Sequence, residues 1–284
     1  MLFPGPTSPR SRARARGVEP AASGTLALPL ACVFLLFLVL PPAALLLRWI
    51  SFGAPEPGAV SSRAVLQATL LSLGTTSISM LLVVVLGTAL AYLLTLGRFR
   101  LLRLFTVFVE LPIVMPPAVA GLALLAAFGR QGLLQQLLPG TPIHVTFTPV
   151  AVILAQVFVA SPYYVRAAQS RFSSVPRELH DAAGLDGASS LRTFWHVTMP
   201  LSRRALLSAL TLAWSRALGE FGATILVAGN LPGKTQTMTL LVYAALERDL
   251  RASFTVAILL LALAAIALAA VRYLAHLDRH EETS

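Results

Sequence analysis

The 284 residues are 56% hydrophobic and only 12% charged, and the mean hydropathy is +0.77. Soluble domains carry about 25% charged residues, so this chain cannot clothe itself in a polar surface, and its composition assigns it to a bilayer. The net charge of +10 does not indicate nucleic acid, because the arginines stand in short runs between long apolar stretches rather than on one basic face.

Residues 1–24, rich in Arg, Pro, Ser and Gly, read as a disordered basic cytoplasmic tail. The apolar run behind them is longer than the roughly 7–15 residues of a cleaved signal core. It reads as an anchor retained as the first helix of a membrane domain, 25–284. A hydrocarbon layer about 30 Å thick takes about 20 helical residues to cross. Six runs qualify: 26–50, 66–96, 104–128, 150–168, 205–228 and 254–273. They are continuously apolar rather than alternating, so helices and not barrel strands satisfy the backbone in lipid. The expected class is all-α integral membrane, with six transmembrane helices.

Lys and Arg are retained on the cytoplasmic side. With a cytoplasmic N-terminus, the inside segments hold Arg10, Arg12, Arg14, Arg16, Arg98, Arg100 and Arg103. They also hold Arg166, Arg171, Arg177, Arg192, Arg203, Arg204, Arg272 and Arg279. The outside segments hold only Arg48, Arg63, Arg130, Lys234, Arg248 and Arg251, and Arg216 is left within a span. Both termini are therefore expected in the cytoplasm. Pro41 and Pro42 fall in the first span and Pro112, Pro116 and Pro117 in the third. Each bends its helix, either as a static packing kink or to line a cavity. The single cysteine, Cys32, excludes intrachain disulfides and Cys-based metal sites.

The longest inside segment, about 170–204, reads RFSSVPRELHDAAGLDGASSLRTFWHVTMP over most of its length. Ser174 can N-cap a helix whose first turn holds Pro176. Gly184 and Gly187 are expected to break that helix, and a second amphipathic piece, 191–199, to follow before Pro200. The alternative is an ordinary amphipathic interfacial helix.

Asp181-Ala182-Ala183, three residues, Gly187, nine residues, Val197, one residue and Met199-Pro200 resemble the EAA motif of ABC importer permeases. The spacing agrees throughout, with Asp181, Val197 and Met199 standing where the family has Glu, Ile and Leu. The resemblance implies a type I importer (MetI-like) permease fold with a cytoplasmic coupling helix that docks into a partner ATPase. Glu178, Asp181, Ala182, Ala183, Gly184, Gly187 and Pro200 would carry that coupling.

Residues 216–243, RALGEFGATILVAGNLPGKTQTMTLLVY, resemble the molybdate branch of these permeases, as do Leu111-Pro112-Ile113-Val114-Met115-Pro116-Pro117 and Gly129-Arg130-Gln131-Gly132-Leu133-Leu134. The resemblance covers about residue 61 onward. It implies molybdate import across the cytoplasmic (inner) membrane, with sulfate, thiosulfate or tungstate as the alternative cargo. It also implies an extracytoplasmic oxyanion-binding protein and two ATP-binding subunits that use the ATP. A second copy of the chain would complete the assembly, since one coupling loop serves one ATPase. Arg216 and Glu220, four residues apart, can pair with each other, or Arg216 can lend positive potential to a dianion. Gly219 and Gly222 allow close approach, and with Thr224 they complete the candidate translocation path. Glu110 is ambiguous in the same way.

Ala228 to Thr235 fits a relaxed phosphate-loop pattern, yet it follows a membrane span and Pro232 removes a needed donor. It reads instead as an outer turn where a delivery protein docks. The five histidines, His144, His180, His196, His276 and His280, are split across both sides. No HExxH or GxSxG is present, so no catalytic residue, metal site or cofactor is expected on this chain. An ion-gradient-driven transporter would predict internal repeats, and none is visible. An intramembrane enzyme would need a paired nucleophile and base, which the chain lacks. Nucleic acid is not an expected partner; membrane lipid is.

Overall fold

The computed structural model describes residues 21–53, 55, 56, 58–96, 100–139 and 144–280, with the side chains of 21–26, 100, 101, 103 and 270–280 left aside. Most of the expected basic tail, Arg98 and the imidazoles of His276 and His280 lie outside the described residues. Two compact units divide the chain, Met1–Arg48 and Trp49–Ser284. The described part of the first is helix α1 (Ala21–Phe52), which runs unbroken through Pro29, Pro41 and Pro42 and ends in the second unit.

Helix α2 (Ser62–Thr95) starts where the Ser61 side chain accepts the Ala64 N–H at 3.1 Å. Helix α6 (Pro149–Ser173) opens on a proline, whose missing N–H would have had no helical partner there. Between them lies the core of the second unit. Ala151, Ala155, Ala160 and Ala168 of α6 are fully buried, as are Ala213 and Ala217 of α9 (Met199–Leu218). A side chain at Gly87 of α2 would stand 3.1 Å from Val165 of α6. Lipid tails are as apolar as the helices, so small residues that permit close packing hold such helices together.

A polar seam crosses the same contact. Ser72, Thr75, Thr76 and Ser79 make one buried stripe of α2 at helical spacing. Ser79 donates to Gln156 Oε1 at 2.9 Å, and Gln156 Nε2 donates to Thr76 at 3.1 Å. The Thr88 and Tyr164 hydroxyls share a bond of 2.8 Å.

Two of the expected spans are divided. The third is α3 (Arg100–Val114) and α4 (Pro117–Phe128), separated at Met115 and Pro116. Pro116 and Pro117 bring no backbone donors, and a residue before proline is driven from helical geometry. The fifth is α9 followed by α10 (Gly222–Ala228), separated at residues 219–221. A short α5 (Leu133–Leu137) follows α4. By length and composition, five described segments can cross a membrane: Ala27–Phe52, Ser62–Thr95, Pro117–Leu137, Pro149–Ser173 and Leu250–Ala269. Leu104–Val114 is apolar but shorter, and α9–α10 is not among the five, so the expected count of six is not reproduced by this measure.

Helix α10 gives way at Gly229, φ +69°, to an irregular stretch and then α11 (Met238–Leu246) and α12 (Leu250–His280). Trp49 Nε1 donates to Thr255 of α12 at 3.3 Å, and Phe52 meets Phe254 edge-on.

Candidate coupling segment and translocation path

The segment after α6 departs from the expected layout in three places. Ser174 does not start a helix. It ends α6, its hydroxyl donating to the Arg171 carbonyl at 2.8 Å. Pro176 is instead the N-cap of α7 (Arg177–Leu185). Gly184 does not break α7 but lies within its last turn, with open space where a side chain would go. Pro200 does not close a separate helix. Helix α8 (Ser190–Thr193) continues through a π-helical turn, 194–198, into α9, and Pro200 sits in the first turn of α9. A proline ring strikes the carbonyl four residues back, and the wider turn, with Met199 N–H bonded to the Phe194 carbonyl, gives it room.

Gly187 does what its spacing requires. It takes φ +78°, its N–H bonds the Gly184 carbonyl at 3.0 Å, and the Ala188 N–H bonds the Ala183 carbonyl at 2.9 Å. These paired bonds close a helix with a left-handed glycine just past its end. Glu178, Asp181, Ala182, Gly184 and Pro200 are exposed, and Ala183 is half-buried. At the tip, Leu185 is 91% exposed. Behind this surface, His180 bonds Thr198 at 3.2 Å, and Phe194 packs among Tyr92, Phe172 and Trp195. The segment is a solvent-exposed ridge with apolar and acidic residues on an aromatic base.

The candidate path residues gather at the break between α9 and α10. Glu220 is only 2% exposed, and its Oε2 meets Arg216 Nη1 at 2.7 Å. Its Oε1 accepts the Ala223 N–H at 2.9 Å, and its main-chain carbonyl accepts the Thr239 hydroxyl at 2.9 Å. One residue thus joins α9 and α10 through its carboxylate and α11 through its main-chain carbonyl. Gly219 is exposed, whereas a side chain at Gly222 would collide with Pro117 Cβ. At Gly121 it would meet Leu226 Cβ at 2.8 Å, so the two divided helices pack with no room for a side chain at either glycine. Thr224 is fully buried, and its hydroxyl has no protein partner among the described residues.

The glycine-rich turn beyond α10 spends its own donors. The N–H groups of Lys234, Thr235 and Gln236 all converge on the Leu231 carbonyl at 2.9–3.1 Å. Nothing there is arranged as a phosphate cradle. Sequence reasoning missed two features: the polar seam of α2 and α6, visible as Ser and Thr at helical spacing in an apolar run, and the pair formed by Arg166 and Glu110 at 2.9 Å. That pair left no local signal, because its members lie on different helices. Among the described residues, no cluster of His, Cys, Asp and Glu could hold a metal.

Residues 83–281 match the model of the family described as binding-protein-dependent transport system inner membrane component. The chain belongs to that family. This permease is 38% identical over 208 residues to the probable transport system permease protein NifC of Clostridium pasteurianum, covering 73% of each chain. It is 36% identical over 234 residues to the molybdenum transport system permease protein ModB of Mycobacterium tuberculosis, covering 82% of this chain and 87% of that one. The sulfate transport system permease protein CysT of Synechocystis is 33% identical over 248 residues, covering 84% and 85%. The fold matches a bacterial ABC transporter that imports alginate, with a TM-score of 0.71 at 16% identity over 89% of this chain and 94% of that one. It also matches the MetNI methionine ABC transporter, at 0.61 and 17% over 76% and 98%. The all-helical, MetI-like permease class expected from the sequence is therefore the class found. The permease is a multi-pass inner-membrane component of an ABC importer, ATP is hydrolysed on separate subunits, and an extracytoplasmic binding protein is the kind of partner it serves.

Proposed function

We propose that this permease carries molybdate inward across the cytoplasmic membrane. Two copies would form the passage, with two ATP-binding subunits below and an oxyanion-binding protein above. The likeness to the molybdenum permease over 82% of the chain carries the reading. Physical chemistry supports it at the α9–α10 break, where Arg216 remains 30% exposed while its carboxylate partner is 1% exposed. A guanidinium partly neutralised by Glu220 attracts a dianion weakly enough to release it, with Gly219, Gly222 and Thr224 beside it. Helix α7 and Gly187 present Glu178, Asp181, Ala182, Ala183 and Leu185 to the ATPase, and the continuous run from α8 into α9, through Pro200, links that contact to the break. Six crossings with both termini in the cytoplasm would put α7 on the ATPase side, and the excess of arginines in the inside segments supports that orientation.

The test is uptake of labelled molybdate into proteoliposomes holding this chain, its ATPase and its binding protein. ATP-dependent uptake blocked by tungstate but not sulfate, and lost in an Asp181→Lys/Gly187→Trp variant, is expected. Equal block by sulfate transfers the cargo to the reading favoured by the sulfate permease likeness. Uptake indifferent to ATP and to the variant removes the importer mechanism.

A further inference from the structure

Arg166 and Glu110 form an ion pair on the membrane part of the fold that no apolar surface of this protomer covers. Arg166 Nε meets Glu110 Oε1 at 2.9 Å, and the two side chains remain 46% and 43% exposed. Helix α6 is about 37 Å long at 1.5 Å per residue, and Arg166 lies seven residues, or about 10 Å, from its end. A layer about 30 Å thick centred on that helix would enclose it, within the apolar run 150–168 rather than in the cytoplasmic segment to which the arginine distribution assigned it. Charges at such depth turn toward protein or water rather than lipid. The surroundings also argue against lipid. Arg166, Gln169, Ser170 and Ser173 follow one another at the spacing of a single helix face. Arg166, Ser170 and Ser173 are exposed, and Gln169 is half-buried. A face turned to lipid would be apolar, whereas this stripe is polar from the ion pair to the helix end.

The guanidinium is also held in place. Nη1 donates to Gln169 Oε1 at 2.9 Å while Nε is engaged by Glu110, and no described residue accepts from Nη2. A fork fixed by two acceptors with donors left over is suited to an oxyanion, whose geometry it matches. We propose that this α6 stripe, with Glu110 reaching it from α3, forms a wall of a water-filled passage on which Arg166 is a second contact for the tetrahedral oxyanion, with Glu110 as the counter-ion that orients it and takes it back on release. This rests on the reading of the chain as an oxyanion permease. It places an anion contact on α6, apart from Arg216.

The test begins by removing the one cysteine of the chain, Cys32. In a Cys32→Ser chain assembled with its ATPase and binding protein in proteoliposomes, Glu110→Cys is exposed to anionic and cationic methanethiosulfonates of similar size and to the membrane-permeant N-ethylmaleimide. Both charged reagents are expected to react, the anionic one roughly tenfold faster, as focusing by a nearby cation in a cleft allows. Adding Arg166→Gln should erase that preference, and tungstate should slow the anionic reagent only while Arg166 is present. Reaction with the maleimide alone would make the face lipid-exposed, and reaction with none of the three would make it protein-covered. Charged reagents reacting without an Arg166-dependent preference would leave water but no anion contact. Each of these three outcomes overturns the inference. If the unmodified chain imports molybdate while the preference is absent, this inference alone falls. If the preference holds while no tetrahedral oxyanion is imported, the cargo reading falls and the hydrated, anion-attracting face stands.

Discussion

Gly184 and Gly187 stand three residues apart in one exposed segment, and the backbone separates them. At φ +78°, Gly187 occupies a conformation that costs an L-residue about 1–2 kcal/mol. Gly184 is an ordinary helical residue with empty space at its would-be Cβ. Gly187→Ala is therefore expected to distort the turn and to reduce ATP-driven uptake at unchanged protein level. Gly184→Ala should stabilise α7 by about 0.5–1 kcal/mol by restricting the unfolded chain. Thermal melts of the two purified variants beside proteoliposome uptake separate the effects. A Gly187→Ala chain that transports normally would remove the need for that turn. The sequence reading expected both glycines to break the helix. Only φ distinguishes them, and φ follows from which carbonyls the succeeding N–H groups find.

At the scale of elements, the second unit is a set of close-packed helices with two that stop and restart where they meet. Gly222 lies against Pro117 so closely that an added methyl group would collide with the proline Cβ. Gly222→Ala should then lower stability by about 1–3 kcal/mol through overpacking, read as a reduced melting temperature. An unchanged melt would mean that the two divided helices separate easily. The polar seam of α2 and α6 makes a different prediction. Gln156→Leu removes the partner of both Ser79 and Thr76, and such interhelical bonds in membranes are worth about 1 kcal/mol. A small loss of stability is expected, with the helices still assembled. A loss of several kcal/mol would show the seam acting cooperatively. The prolines that divide α3 from α4 were readable in the sequence, since Pro116 and Pro117 bring no donors. The division of α9 from α10 was not, because it depends on Glu220 turning its carboxylate back to cap Ala223.

For the whole molecule, the proposed arrangement in the membrane rests on charge placed outside the apolar spans. With both termini in the cytoplasm, alkaline phosphatase fused behind residue 284 should be inactive, and a fluorescent protein fused there should fluoresce. The reverse pattern would invert the orientation and put α7 on the side away from the ATPases.

The sequence by itself determined the membrane class, because so apolar a chain has nowhere else to fold, and it determined the helical class, because continuous apolar runs satisfy the backbone in lipid only as helices. It also located the segment around Gly187 and the Arg216–Glu220 pair, both defined by spacings along one chain segment. Which helices break, that Pro200 lies inside a continuous run, that Gly222 abuts Pro117 and that Glu110 reaches Arg166 were decided only in three dimensions. Each of those depends on contacts between residues distant in sequence or on which backbone donor finds which acceptor, and neither leaves a periodic trace along the chain.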